Sequence, residues 1–334
     1  MNNSKINTLI LIVLTFTLFV LDLSIGAEFI NPKDSIFSLL GLSSEHSIII
    51  DNFRFPRVLT AILSGIALSL SGLIMQTTFR NPLAGPYVLG ISGGAGLGVA
   101  IVTLSAGFLS SYTLISNWSV VFAAWIGSGL ILLVIFYASL KVKDIMTLLV
   151  FGILLGAAIS AVIGILQYFS EAAQLKAFVL WTFGNLESVT KGQLPILVIS
   201  VLIGTIISFT LMKSLNGLLL GEDYATTMGI NIKTTRILIF TATGILTGTI
   251  TAFCGPIGFI GIAVPHVVRM IYKTNDHKVL IPSTILFGSI VMLISDIISQ
   301  LPGTEYKLPI NSITALFGIP IIVWLIIKNR KISL

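Results

Sequence analysis

Residues 215–231 read LNGLLLGEDYATTMGIN, between long stretches apolar enough to lie in lipid. Asn216 and Gly217 give a turn signal. Glu222 and Asp223 follow Gly221, where acids favour a helix N-terminus against the positive end of its dipole. Gly229 is placed to close that helix, because glycine takes the left-handed conformation past a helix end at no steric cost. The spacing predicts a helix of about two turns, bracketed by glycines. Leu218, Leu219, Leu220, Ala225 and Met228 are apolar residues that a solvated loop does not need. A short, stiff, partly apolar helix outside the membrane needs a surface to press against. On these residues alone, a protein partner and a bed of lipid headgroups both remain open.

The rest of the chain sets the class. Of 334 residues, 55% are hydrophobic and only 10% charged, against about 25% charged in a soluble domain. The mean hydropathy is +1.04. The expected fold is an all-α polytopic membrane protein, with 1–334 as one transmembrane domain. The formal charge of +6 is spread along the chain, so no nucleic-acid partner is expected. A single cysteine, Cys254, excludes an intrachain disulfide framework or a Cys-based metal site.

A membrane helix needs about 20 mostly apolar residues. Ten candidate spans meet this: 6–26, 57–79, 88–108, 115–139, 145–169, 192–212, 234–254, 257–273, 279–300 and 309–327. The first could pass for a signal peptide, and an uncleaved first span is the expectation. With the N-terminus inside, the inner face carries Lys5, Arg80, Lys141, Lys143, Lys213, Lys233, Arg236, Arg269, Lys273, Lys278, Lys328, Arg330 and Lys331. The outer face carries Lys33, Arg54, Arg57, Lys176, Lys191 and Lys307. That bias obeys the positive-inside rule, sets both termini in the cytoplasm and puts 215–231 there too. Gly255, Pro256, Gly258, Gly261, Pro265 and Pro282 predict interruptions in 257–273 and 279–300.

Small residues recur every fourth position in several spans: Gly90, Gly94 and Gly98; Gly244 and Gly248; Gly152, Gly156, Ser160 and Gly164. Such stripes suit close helix packing or a cavity wall. The last runs over more than three turns and suits a pathway wall at least as well as a seam. The glycines at 94–98 do not make a dinucleotide fingerprint, because they lie in a membrane helix and not at a strand-to-helix turn.

The chain has no Gly-Lys dipeptide, hence no Walker A loop, and no His-Glu-x-x-His. His266 reads as a structural hydrogen-bonder. Asp22 and Asp296 sit near span ends, and no acid sits at mid-depth, where ion-coupled carriers use one. A membrane enzyme would need a polar cluster at one depth, and none is visible. Uphill transport would therefore draw its energy from another polypeptide, through 215–231.

Ordered motifs then carry a resemblance. They are Arg54-Phe55-Pro56-Arg57; Gln76 with Arg80-Asn81-Pro82-Leu83-Ala84; Leu89-Gly90-Ile91-Ser92 with Gly93 and Gly94; and Trp181 with Gly184. After Leu220-Gly221-Glu222 with Ala225 and Gly229 come Gly258-Phe259-Ile260-Gly261, Pro265-His266 with Arg269, Asp276-His277-Lys278, Asp296, Leu308-Pro309, Thr314-Ala315 and Gly318-Ile319-Pro320. Together they resemble the FecCD/BtuC-type permease subunits of ATP-binding-cassette (ABC) importers, which carry iron-siderophore, haem or cobalamin.

The resemblance implies a transport subunit, not an enzyme, with a second permease subunit in a homo- or heterodimer. It also implies two cytoplasmic ATPase subunits, which hold ATP and Mg, and an extracytoplasmic binding protein; no cofactor is expected in this chain. Leu218, Gly221, Glu222, Ala225 and Gly229 would couple to the ATPase. The fifth and tenth spans would line the pathway, with Gly152, Gly156, Ser160 and Gly164 on its wall. Arg54 and Arg57 would receive carboxylates of the binding protein, as the planar guanidinium fork allows. The chain departs from the family in having Gln300 for an arginine and Lys307 for a glutamate, and Lys307 is expected to replace the charge lost at 300. A ferric siderophore or haem is the expected cargo, with cobalamin the alternative and an ion-coupled carrier a more distant one.

Overall fold

The computed structural model describes residues 3–42, 46–104, 117–142, 144–304 and 306–329. Among them every regular element is helical: α1 (Asn3–Ser24), α2 (Pro32–Leu39), α3 (Ser47–Ile49), α4 (Phe55–Thr78), α5 (Ile91–Leu104), α6 (Asn117–Lys141), α7 (Ile145–Tyr168) and α8 (Ala172–Thr182). Then follow α9 (Leu194–Thr210), α10 (Met212–Leu218), α11 (Glu222–Thr227), α12 (Ile232–Cys254), α13 (Ile260–Tyr272), α14 (His277–Ser299) and α15 (Ile310–Asn329).

Among the described residues, six helices are long and apolar enough to cross a membrane, and α9 with α10 makes a further candidate bent by 55°. α5, α13 and the Ile310–Trp324 part of α15 are apolar but shorter. Each of the ten expected spans therefore meets a helix. The ends of 88–108 and 115–139 nearest each other, and Lys143, Arg330 and Lys331, lie outside the described residues.

α4 is the axis of the bundle. It packs against α9, α12, α13 and α14, and nearly all its residues after Phe55 are buried. Glycine makes this possible: a Cβ at Gly65 would stand 2.3 Å from the Gly288 carbonyl oxygen of α14, and one at Gly72 would stand 1.8 Å from that of Gly261 in α13. No side chain fits at such distances, so the backbones themselves are in contact. Gly94 and Gly98 of α5 make a seam of the same kind, while the stripe on α12 receives side chains of α6. Gly98 meets the Ala123 carbonyl of α6, and Gly244 meets the Leu132 side chain.

α13 is short because the chain is broken at 255–259, as expected. The orphaned backbone groups find partners there. The Ile257 N–H donates to the Tyr87 hydroxyl oxygen at 3.1 Å, and that hydroxyl donates to the Ile257 carbonyl. The Gly258 N–H donates to Asn311 Oδ1 at 2.9 Å. Broken backbone at membrane depth survives only when satisfied in this way. Pro282, by contrast, does not interrupt α14, which runs through it from His277 to Ser299. As the sixth residue of α14, Pro282 forfeits one ladder bond, to the Lys278 carbonyl, and packing of α14 against α4 holds the helix across it.

Candidate functional site

The two ends of α4 organise two polar clusters. At its C-terminal end the chain turns at Arg80, and the Arg80 Nε donates to the Leu218 carbonyl at 3.3 Å. The guanidinium lies over Gly221, where a Cβ would stand 2.4 Å from Nη2. Gly221 has φ +116° and opens α11. Gly229 has φ +80° and closes it, with the Ile230 N–H bonded to the Ala225 carbonyl at 3.0 Å. That six-to-one bond is the Schellman closure anticipated for this glycine.

Asn216 and Gly217 behave differently from the expected turn: both lie inside α10. Their chemistry is tertiary. Asn216 Nδ2 donates to Asp276 Oδ1 at 2.8 Å, and Asn216 Oδ1 accepts from the His277 N–H at 2.9 Å. The buried His277 ring also meets Asn216 Oδ1 through Nδ1 at 2.6 Å and Thr77 Oγ1 of α4 through Nε2 at 2.9 Å. Gly217 leaves room for Ile230, whose Cδ1 would be 2.2 Å from a Cβ there. A local signal read as a turn was thus a site of close approach.

Glu222 takes a bidentate pair from Arg236 of α12, both oxygens 2.8 Å from Nη2, and Arg236 Nη1 also donates to the Val142 carbonyl at 3.2 Å. Leu218 and Ala225 are buried within the chain. Of the five residues expected to couple, none offers its apolar surface outward. The exposed large apolar residues of this element are Leu219, Leu220, Tyr224 (66% exposed) and Met228. Leu219, Leu220 and Met228 are among the apolar residues singled out in the sequence, whereas Tyr224 is not; Leu219 and Leu220 precede the turn at Gly221 and Tyr224 lies within α11. Asp276, outside the spans, caps α14; its carboxylate accepts from the Lys278 N–H at 3.0 Å, and that bond with the Asn216 amide holds its pKa below the usual value.

The opposite end of α4 carries Arg54 and Arg57, the residues expected to receive carboxylates of the binding protein. Both are buried. Arg57 pairs with Asp296 of α14 at 2.9 Å and Asp22 of α1 at 3.2 Å, with Glu187 at 4.0 Å. Arg54 donates to the carbonyls of Leu23, Ser24 and Glu28 at 3.0, 2.9 and 2.6 Å. A buried guanidinium must be fully partnered, and the ends of α1 and α14 supply the partners. Neither arginine presents a free fork. Lys307 is half-exposed and grips Glu187, with Nζ–O distances of 2.6 and 2.5 Å. Gln300 Nε2 reaches the same carboxylate at 3.5 Å, so a cation at 307 meets the acid beside position 300. Glu187, in a 3-10 turn at Leu186–Ser188, was not anticipated from the sequence.

The α7 stripe divides. Gly152 is a packing residue, with a Cβ position 2.6 Å from the Val88 carbonyl. Gly156 and Gly164 have nothing within 4 Å of theirs, and Ser160 is exposed with its hydroxyl bonded to the Gly156 carbonyl at 3.0 Å. Among the described residues, no group of three or more His, Cys, Asp or Glu side chains could hold a metal ion.

Comparison with known proteins fits this architecture. The model of the FecCD transport family matches residues 11–328. The vitamin B12 import system permease proteins BtuC of Salmonella paratyphi A and Salmonella typhimurium are each 36% identical over 327 residues, covering 97% of this chain and 95% of theirs. Among solved structures, a metal-chelate type ABC transporter in an inward-facing conformation aligns with a TM-score of 0.84 at 27% identity, over 97% of this chain and 99% of that one. PsaBC from Streptococcus pneumoniae, in complex with Fab, shares the fold at a TM-score of 0.53 and 17% identity, over 86% of this chain and 94% of that one. A family match over nearly the whole length, together with this helical architecture, makes the chain a member of the FecCD transport family and the integral-membrane permease subunit of an ABC importer, whose ATPase is a separate chain.

Proposed function

We propose that this subunit forms the wall of a path for a bulky metal chelate, with the α10–α11 end in the cytoplasm taking force from the ATPase. The open face of α7 carries the reading. It bears no charged residue; Gly156 and Gly164 leave it unobstructed, and Ser160 satisfies its own hydroxyl on the helix backbone. A wide solute slides past such a surface without a strong binding site, and a second permease copy across it closes the path. α15, the tenth expected span, also has an exposed face.

Within the chelate class, the likeness to permeases named for vitamin B12 favours a corrinoid over the ferric siderophore or haem expected from the sequence. On the other side, the binding protein docks on the outer cluster, with Lys307 as its accessible cation. Gly221, Glu222, Gly229, Leu218 and Ala225 shape and hold the coupling element, and Leu220, Tyr224 and Met228 touch the ATPase.

The test is uptake into proteoliposomes holding the permease, its ATPase and its binding protein. Labelled cobalamin should accumulate with ATP, and a ferric siderophore or haem should not. Preferential uptake of either iron chelate would restore the iron reading. Uphill uptake by the permease alone would sink the coupling reading altogether.

A further inference from the structure

Two cavities lie along the cleft between α6 and α12. One, of about 420 Å³, is lined by Ser139 and Leu140 of α6, Asp223 of α11, and Lys233 and Arg236 of α12. The other, of about 330 Å³, is lined by Gly129 and Leu132 of α6, Gly244 and Gly248 of α12, and Ile203 of α9. Register joins them. Leu132 and Ser139 are seven apart, and Gly129 and Leu140 eleven apart, so at about 3.6 residues per turn each pair shares one face of α6. Lys233 and Gly244, eleven apart, share one face of α12.

Depth separates them. α6 has 25 residues and α12 has 23. They are about 38 and about 35 Å long, against about 30 Å of hydrocarbon and about 40–45 Å of whole bilayer. Ser139, near the end of α6, and Lys233, near the start of α12, therefore lie at headgroup level. Tyr137 is exposed there and carries the Lys141 ammonium 4.6 Å over its ring, as aromatic residues of the membrane interface do. The second cavity begins about 10 Å further along α6, at hydrocarbon depth. Charge follows depth. The deep cavity has no ionisable residue in its wall. The shallow one has two acids and two bases. Of these, Glu222 and Arg236 satisfy each other. Asp223 and Lys233 are exposed and, among the described residues, in no ion pair.

We propose that this cleft seats one phospholipid with a zwitterionic ammonium headgroup. Its phosphate lies against Lys233 and its ammonium against Asp223, and one acyl chain runs along Gly129, Gly244 and Gly248. A free cation and a free anion on neighbouring elements select a headgroup bearing both charges over a purely anionic one, which Asp223 repels. Small residues let a methylene chain approach closely enough for its dispersion contacts to add up. The groove is open at Gly129, which has nothing within 4 Å of its Cβ position. A lipid so placed ties α11 to α6 and α12.

The experiment is native mass spectrometry of the complete transporter, stripped of lipid in detergent and then given phosphatidylethanolamine, phosphatidylcholine or phosphatidylglycerol. Phosphatidylethanolamine should be retained at one per permease chain, at least about tenfold more tightly than either of the others. The phosphatidylcholine headgroup has no N–H to donate to Asp223, and phosphatidylglycerol has no cation. Lys233→Glu and Asp223→Lys at headgroup level, and Gly129→Leu at acyl depth, should each weaken that retention by a similar factor. All three substitutions fall at exposed or open positions. Equal retention of the three lipids by the unmodified transporter, or unchanged retention in all three variants, overturns the site. Stronger retention of phosphatidylglycerol, lost only in Lys233→Glu, assigns a simple anion site and overturns the zwitterionic headgroup. Glycerophosphoethanolamine, the same headgroup without chains, should fail to displace the lipid at equal concentration. Displacement by it removes the acyl groove from the site and overturns the proposal.

Discussion

Glu222 and Arg57 show how differently two charges of this chain are used. The Glu222 carboxylate keeps about a third of its surface in water while Arg236 is nearly buried, so screening limits the pair to about 1 kcal/mol of stability. Its value lies in holding α11 against α12. Glu222→Lys should leave the protein folded and ATP hydrolysis running, with cargo uptake lost. The exchange Glu222→Lys with Arg236→Glu should recover part of it, measured as transport per ATP hydrolysed. Arg57 is the opposite case. Removing it strands Asp22 and Asp296 together in the protein, and Arg57→Ala should cost about 3–5 kcal/mol, seen as a lower unfolding midpoint in detergent that added salt does not restore. The sequence displayed these arginines plainly, including their place against the charge bias. It did not display their burial, because the partners come from helices far apart in the chain. Legibility at this scale stops where a side chain's environment depends on tertiary neighbours.

Helical elements were more legible than residues. Every expected span corresponds to a helix, since length and apolarity are written locally. The break before α13 was also readable, because Gly255, Pro256 and Gly258 act on their own backbone. The turn expected at Asn216 gives way because packing of α10 against α4 and α14 outweighs a local preference worth about 1 kcal/mol, and α14 absorbs the cost of Pro282, about 3 kcal/mol, through its long packing against α4. The α7 stripe looks uniform in sequence but has two environments, and substitutions should separate them. Gly152→Leu should lower expression and thermal stability by forcing α7 from Val88. Gly156→Leu and Gly164→Leu should leave both unchanged and reduce transport by about tenfold or more, as obstruction of a path requires. α14 has its own signature in pH. The Asp276 carboxylate is held below its ordinary pKa of 3.8, so its capping contribution is complete above that value and fades as pH falls through the depressed one. Asp276→Asn should retain much of the cap and remove that acid dependence, followed by thermal unfolding between neutral and strongly acidic buffer.

On the scale of the molecule, the backbone contacts at Gly65 and Gly72 bind α4 to α14 and α13 with no side chain between to cushion a displacement. One end of α4 rests on the glycine that opens α11, through Arg80, and the other joins α1 and α14 through Arg57. Such a helix has the character of a pushrod, stiff along its axis and fixed at both ends. Equilibrium linkage is symmetrical. Whatever factor nucleotide imposes on the grip for a protein arriving from outside, that arrival must return to the nucleotide's own affinity. A reciprocal pair of binding constants, equal in ratio, is the thermodynamic mark that a single rigid member reaching both faces should leave.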